Sequence, residues 1–184
     1  MTPTIILKDD LVARCRKGDE RAQLEVYNKY YKAMYNTAFR IVNDTAEAED
    51  IMQEAFFKAF AKIDTFKEHS TFGAWLKKIV VNLSINRHHK NTKYRKVPYE
   101  DEFKNELTED QGIDLREEIA NAEVKKVVNA MKTLKENYRV ILSLHFIEGY
   151  DYDEICEILS ITPANCRTTI SRAKEQLRNK LTEY

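Results

Sequence analysis

Apolar residues recur at intervals of three and four along most of the chain, which is the spacing of helices that pack through one face. The longest such pattern begins near Glu20 and predicts an amphipathic helix of roughly six turns. Its inward positions are Val26, Tyr27, Tyr30, Tyr31, Met34, Tyr35, Ala38, Ile41 and Val42. Four Gly and three Pro in 184 residues are few turn residues for a hairpin-rich sheet. The pattern therefore predicts an all-α fold.

Capping signals divide the rest of the N-terminal half into helices. Asp44 is placed to start a helix, and Glu47 is expected to complete a capping box by returning its carboxylate to the residue 44 backbone. Segment 66–71 is interpreted as a polar turn, and segment 72–89 as a further helix. Its expected core positions are Leu76, Ile79, Val80 and Leu83, and a different face carries Lys78, Asn82, Ile85, Asn86 and His89.

The C-terminal half predicts a helix-turn-helix. Two helices are expected over 119–131 and 136–147, and an Asp151/Glu154 capping box then starts a third. A three-residue turn follows, with Thr162 as the N-cap of the last helix and Pro163 at its first position. The expected outward residues of that helix are Asn165, Arg167, Thr168, Ser171 and Arg172. Helix, short turn and polar-faced helix are the features of this DNA-binding motif.

Charge is unevenly distributed, although 30 basic and 30 acidic residues balance. Residues 77–96 contain seven Lys or Arg and no acid, whereas residues 99–118 contain nine acids and two bases. The acidic segment lacks apolar periodicity and predicts a solvated linker. We therefore expect two small helical domains, 1–96 and 118–184, joined by an acidic linker over 97–117.

The chain shows no constellation typical of a catalyst, a metal site or a cofactor site. Its four His residues form no ligand pattern, and Cys15, Cys156 and Cys166 are best interpreted as reduced, mostly buried thiols. No apolar run approaches the ~20 residues of a membrane span, and no secretory signal is visible. These observations predict a cytoplasmic protein without a catalytic residue, a metal or a cofactor, and without membrane insertion.

Two segments carry side chains suited to nucleic acid. The last helix offers Arg, which can donate two hydrogen bonds to guanine, and Asn, which can pair with adenine. The basic stretch mixes cations, amides and His close after Phe72 and Trp75, a mixture that suits unpaired bases. Each segment has a simpler interpretation: an ordinary charged face on a helical packing unit for the first, and a solvated basic helix end for the second.

Three motifs, taken in order, resemble the extracytoplasmic-function group of bacterial sigma factors, the promoter-recognition subunits of RNA polymerase. AEAEDIMQEAFFKAF (46–60) is similar to the helix that binds the polymerase clamp. STFGAWLKKIVVNLSINRHHK (70–90) is similar to the −10 reading segment, and residues 134–181 to the −35 reading domain. The sequence departs from the family pattern at Lys135, where Pro is usual, at Val81, where a base is common, and at Ser160, where many helix-turn-helix turns have Gly.

The resemblance implies roles for particular residues. Contact with the polymerase clamp is implied for Asp50, Gln53, Glu54 and Phe57. Contact with the separated non-template −10 strand is implied for Lys67, Ser70, Thr71, Asn82, Asn86, Arg87, His89 and Lys90. Contact with the −35 duplex is implied for Asn165, Arg167, Thr168, Ser171 and Arg172. The implied partners are core RNA polymerase, promoter DNA and an anti-sigma factor, and the linker resembles the segment threaded near the polymerase active site.

Two other functions are weighed against this one. A stand-alone helix-turn-helix regulator would leave the polar outer face of 44–60 unexplained, and co-purification with core polymerase would distinguish it. A nuclease would need clustered carboxylates or His with ligand spacing, which the sequence does not show.

Overall fold

The computed structural model describes residues 9–67, 69–94 and 122–182, which divide between two compact units separated after Tyr94. The N-terminal unit contains helices α1 (Asp9–Arg16), α2 (Glu20–Val42), α3 (Thr45–Ala61) and α4 (Phe72–Tyr94), with a 3-10 turn at Ile63–Thr65. The C-terminal unit contains α5 (Ala122–Lys132), α6 (Glu136–Leu142), a π-helical segment (Ser143–Ile147), α7 (Tyr152–Leu159) and α8 (Pro163–Thr182). The described residues form no strand, which confirms the all-α prediction.

Helices α2, α3 and α4 pack against one another in pairs and enclose the core of the N-terminal unit. The apolar stripe of α2 is buried much as its spacing predicts, with Val26, Met34, Ala38 and Ile41 almost fully removed from solvent. The core is completed by Ala48, Ile51, Met52, Ala55, Phe56 and Ala59 of α3 and by Leu76, Val80 and Val81 of α4. Removing this apolar surface from water is the main favourable term in holding the three helices together.

Two predictions about α4 and the segment before it are wrong. Ile85 is buried (3% exposed) rather than on the polar face, because α4 packs against both α2 and α3 and needs an apolar stripe wider than one contact requires. Val81 is fully buried for the same reason, so an apolar residue at this position serves the core. Phe66, expected in a polar turn, is 5% exposed.

Phe66 belongs to an aromatic cluster at the base of the loop that precedes α4. Its ring lies edge-on to Phe72 at 5.5 Å between centroids and 5.3 Å from the ring of Trp75. Tyr30 of α2 closes the cluster, 5.8 Å from Phe72. Gly73 lets the Tyr30 ring approach, since a Cβ at that position would meet Cε1 at 2.8 Å. The two residues that flank loop 67–71 are thus both fixed in the core.

The caps of α2 and α3 follow the sequence signals in part. Asp19 accepts hydrogen bonds from the first-turn amides of α2, and Asp44 accepts one from the Glu47 amide at 2.8 Å. The expected capping box at α3 is wrong in its second half, because the Glu47 carboxylate is directed towards α4. Helix α2 ends with Asn43 in the left-handed region at φ 56°, a conformation that Asn tolerates better than most residues.

The core of the C-terminal unit is built mainly from α6 and α8. Its most deeply buried side chains are Ile141, Leu142, Leu144, Ile155, Cys166 and Ile170. The helix predicted over 136–147 changes to π geometry at Ser143 and ends before Gly149, which has φ 81°. None of the described helices combines the length and apolar composition needed to cross a membrane.

The helix-turn-helix is present as predicted. Asp151 and Glu154 form both hydrogen bonds of a capping box at the start of α7. Helix α7 ends in a Schellman motif, in which the Ile161 amide donates to the Cys156 carbonyl at 3.1 Å and the Ser160 amide to the Glu157 carbonyl at 3.3 Å. Ser160 occupies the left-handed position of that motif, with φ 53° and ψ 47°.

Candidate polymerase and nucleic-acid interfaces

Helix α3 presents a mixed polar and aromatic face to solvent. Asp50 and Gln53 are exposed, and the Phe57 ring is 76% exposed although it follows the buried Phe56. Glu54 lies on the same face and its carboxylate is 2.7 Å from Lys58 Nζ, an exposed pair that adds little stability. The opposite face of α3 is fully used by the core. These four side chains therefore offer a surface with acids, an amide and a protruding ring.

The second half of α4 carries a polar stripe. Four of its side chains are exposed: Asn82, Asn86, His89 and Lys90. Successive members of this set are four, three and one positions apart, so they share one side of the helix. The buried residues of α4 occupy the other side as far as His88. The structure therefore brings together four of the residues implied in −10 recognition on a rigid element, with amide and cationic groups directed to solvent.

Arg87 differs from its neighbours on α4. Its side chain is half-buried, and Nη1 lies 4.0 Å from Oε1 of Glu47 on α3. Asn91, one turn further on, donates from Nδ2 to both carboxylate oxygens of Glu47 at 3.0 and 3.1 Å. Arg87 and Asn91 thus face α3 instead of the stripe that contains Asn86.

The loop before α4 exposes Lys67, Ser70 and Thr71. Thr71 also caps the helix, because its Oγ1 accepts a hydrogen bond from the Ala74 amide at 3.3 Å. On the other side of the loop, Arg16 Nη2 donates to the Phe66 carbonyl at 2.8 Å. These contacts fix both ends of the loop relative to the polar stripe of α4.

Helix α8 exposes all five of the residues implied in −35 recognition. Asn165, Arg167, Thr168, Ser171 and Arg172 are exposed, while Cys166, Ile170 and Ala173 are buried. Thr162 caps the helix as predicted, since its Oγ1 accepts from the Asn165 amide at 3.3 Å. The Asn165 side chain is held in place by Thr169, whose hydroxyl donates to Oδ1 at 3.1 Å. The face combines a helix N-terminus, which suits phosphate, with side chains that can hydrogen-bond base edges.

Two titratable groups of the C-terminal unit are held neutral by their surroundings. Burial, together with the adjacent Cys156 thiol, raises the pKa of Cys166 to about 11, so this thiol is protonated at neutral pH. Burial and the nearby Glu148 and Glu154 carboxylates raise the pKa of Tyr150 to about 12. On the flank of α8, Lys174 Nζ lies 5.1 Å from the centre of the exposed Phe146 ring. Neither the Cys166 thiol nor the Tyr150 hydroxyl therefore changes its charge near pH 7.

Sequence reasoning did not predict the contact between Glu47 and Asn91. Their contact joins residues 44 positions apart, and no local pattern announces it. Among the residues that the structure describes, no group of three or more His, Cys, Asp or Glu is arranged to hold a metal ion.

Each of the two units matches a known protein family. Residues 26–94 match the family model for sigma-70 region 2, and residues 125–177 match that for sigma-70 region 4. The ECF RNA polymerase sigma factor SigW of Bacillus subtilis is 30% identical, with 92% of this chain and 94% of SigW covered. The ECF RNA polymerase sigma-E factor of Haemophilus influenzae is 29% identical, with 93% of each chain covered.

Two solved structures share the fold. The sigma factor RpoE of Bartonella quintana, solved in complex with the anti-sigma factor NepR, matches with a TM-score of 0.55 at 20% identity, covering 86% of this chain and 95% of RpoE. CnrH in complex with the cytosolic domain of CnrY matches with a TM-score of 0.53 at 19% identity, covering 94% of this chain and 96% of CnrH.

Proposed function

This chain belongs to the ECF RNA polymerase sigma factors, and from that membership we propose which of its surfaces meets RNA polymerase and which meets promoter DNA. As a member of the family it is a non-enzymatic initiation factor that binds core RNA polymerase and directs transcription from promoters. The match of residues 26–94 to sigma-70 region 2 favours this function over a stand-alone helix-turn-helix regulator, which has no need of that unit.

The outer face of α3 is the proposed contact with core polymerase. Asp50, Gln53, Glu54 and Phe57 reach solvent from a helix whose other side is core, so a partner can bind them without disturbing the fold. A 76% exposed Phe beside acids suits a partner that offers an apolar site rimmed by basic groups. The domain limits are part of the same proposal: 1–96 binds polymerase and the −10 element, 97–117 is a linker, and 118–184 binds the −35 element.

The polar stripe of α4 is the proposed reader of the unpaired non-template −10 strand. The observation that carries this assignment is the shared exposure of Asn82, Asn86, His89 and Lys90 on one side of a helix that the core holds rigidly. Amide groups can hydrogen-bond base edges and cations can neutralise phosphates of a separated strand. Lys67, Ser70 and Thr71 of the preceding loop and Arg87 beside the stripe complete the proposed surface.

Helix α8 is the proposed reader of the −35 duplex. The N-terminal part of this helix is the part that enters the major groove in helix-turn-helix proteins, and Asn165, Arg167 and Thr168 lie in its first two turns. Ser171 and Arg172 continue the face by one turn. Two readers on one chain raise each other's effective concentration at a promoter, which helps to offset the few kcal/mol that unpairing and extruding a base costs.

The cellular setting forms part of the proposal. We place the protein in the cytoplasm, where it would meet polymerase and DNA. An anti-sigma factor is the further partner we propose, since the RpoE relative was solved with one bound.

A triple variant at positions 82, 86 and 89, each changed to Ala, tests the −10 assignment. It should assemble with core polymerase and bind −35 duplex normally but fail to open promoter DNA, as read by permanganate reactivity of unpaired thymines. A template already mismatched over the −10 region should restore part of the transcription, because the unpairing cost is already met. A matched variant with Asn28, Lys29 and Lys32 of α2 changed to Ala should behave like the wild type. Normal opening of paired DNA by the first variant would refute the assignment.

A further inference from the structure

Glu47 joins the helix proposed to bind polymerase to the helix proposed to read DNA. It lies in the first turn of α3, one turn before Asp50, and its carboxylate accepts two hydrogen bonds from Asn91 of α4. The Glu47 side chain is 25% exposed, and Arg87 Nη1 lies 4.0 Å from its carboxylate on the same side of α4 as Asn91. A half-buried carboxylate that receives donors from another helix is held more firmly than an exposed surface pair.

The contact lies where α4 loses its apolar support. His88 is the last of the described α4 side chains that is buried, and His89 and Lys90 are exposed. Asn91 therefore holds the part of the helix that follows the last core residue. Arg87 and Asn91 are four positions apart and share a side, whereas Asn86 and Lys90 share a neighbouring side about 100° further round the helix. Contact of Arg87 and Asn91 with α3 therefore fixes the direction in which Asn86 and Lys90 point.

We infer that Glu47 is a positioning residue for −10 recognition. It sets the rotation of the last turns of α4, so that Asn86, His89 and Lys90 are presented to the separated strand in one geometry. Its carboxylate also lies near Arg87. The first role of Arg87 is therefore to link α3 and α4, and contact with phosphate is secondary. This inference rests on the proposed function of the α4 stripe.

The test is a double-mutant cycle between Glu47→Ala and Asn91→Ala in full-length protein assembled with core polymerase. Either variant removes the same hydrogen bonds, so each should slow opening of a paired promoter by about tenfold, which corresponds to about 1.4 kcal/mol. The double variant should be no slower than Glu47→Ala, because that substitution already removes every hydrogen bond that Asn91→Ala removes. Glu25→Ala, which removes an exposed carboxylate from α2, should open DNA at the wild-type rate.

Two further measurements separate positioning from general stability. Core binding and −35 duplex binding should be unchanged in both single variants, and a template pre-melted over the −10 region should recover most of the lost rate. Glu47→Gln retains a carbonyl oxygen that can accept from Asn91 and should open DNA faster than Glu47→Ala. Opening by Glu47→Gln that is as slow as by Glu47→Ala would overturn the hydrogen-bond mechanism.

The inference fails if Glu47→Ala and Asn91→Ala open promoters at the wild-type rate, if their effects simply multiply, or if both lose core binding. The triple variant at 82, 86 and 89, run in the same assay, shows which idea has failed. If that variant opens DNA normally, the proposed −10 function is wrong. If it fails to open DNA while the Glu47 and Asn91 variants open it normally, only the positioning role is wrong.

Discussion

The backbone of Ser160 tests how the helix-turn-helix is held together. Ser160 adopts φ 53° and ψ 47° at the left-handed position of the Schellman motif, where a Cβ costs about 1–2 kcal/mol. Glycine avoids that cost. It also increases the conformational entropy of the unfolded chain, which lowers the stability of the fold by about 0.4–1 kcal/mol. Ser160→Gly should therefore stabilise the C-terminal unit by about 0.5–1 kcal/mol, through relief of backbone strain and with no new side-chain contact.

Urea unfolding of the full chain measures this change. Trp75 is the one tryptophan and lies in the N-terminal unit, so its fluorescence follows that unit, while far-UV circular dichroism follows both. With a slope of about 1 kcal/mol per molar for a unit of this size, the C-terminal midpoint should rise by about 0.5–1 M. The tryptophan transition should not move.

Two matched variants sharpen the result. Ser160→Ala keeps the Cβ and should give no such gain. Asn43→Gly, at φ 56° in the N-terminal unit, should gain less than Ser160→Gly, because Asn tolerates the left-handed region. A midpoint for Ser160→Gly equal to or below that of the wild type would show that the strain argument is wrong.

Three other predictions follow from the faces and the core already described. Charge reversal by Asp50→Lys with Glu54→Lys should abolish assembly with core polymerase at unchanged helix content, and undiminished recovery in a pull-down would contradict the α3 assignment. Arg167→Ala and Arg172→Ala should each cost ~1–3 kcal/mol of promoter binding if the Arg contacts a base, or lower the salt slope by about one if it contacts phosphate. Equal binding by wild type and both variants across a salt titration would exclude α8 as the reader. Gly73→Ala should destabilise the N-terminal unit by about 1–3 kcal/mol through its clash with the Tyr30 ring, a loss that tryptophan fluorescence would detect.

Local signals in the sequence were sufficient for most of the fold. Helix spacing, the Asp151/Glu154 capping box and the Thr162 N-cap are interactions within a few residues, and the structure confirms each of them. The exposed faces of α3 and α8 were predictable for the same reason, since the buried residues of each helix leave one side for solvent.

The errors have a common physical cause in contacts between distant parts of the chain. Ile85 is buried because α4 touches two helices, and Phe66 because the Phe72 and Trp75 rings of α4 pack against it. Glu47 has the spacing of a capping box, but its carboxylate accepts hydrogen bonds from Asn91 of α4 instead. Spacing alone cannot show whether a carboxylate accepts its hydrogen bonds from a nearby backbone amide or from a distant side chain.

The aromatic residues at the base of loop 67–71 have a consequence for how promoter preference can diverge among such proteins. Phe66 and Phe72 anchor the loop in the core, so substitutions at Lys67 or Ser70 alter the exposed surface without removing buried apolar area or the Thr71 cap of α4. Surface loops on a rigid base accept sequence change at little cost in stability. If this loop reads the −10 strand as proposed, new DNA preferences can accumulate by single substitutions at Lys67 or Ser70. Each intermediate would still be folded and would keep the α3 face proposed to bind polymerase.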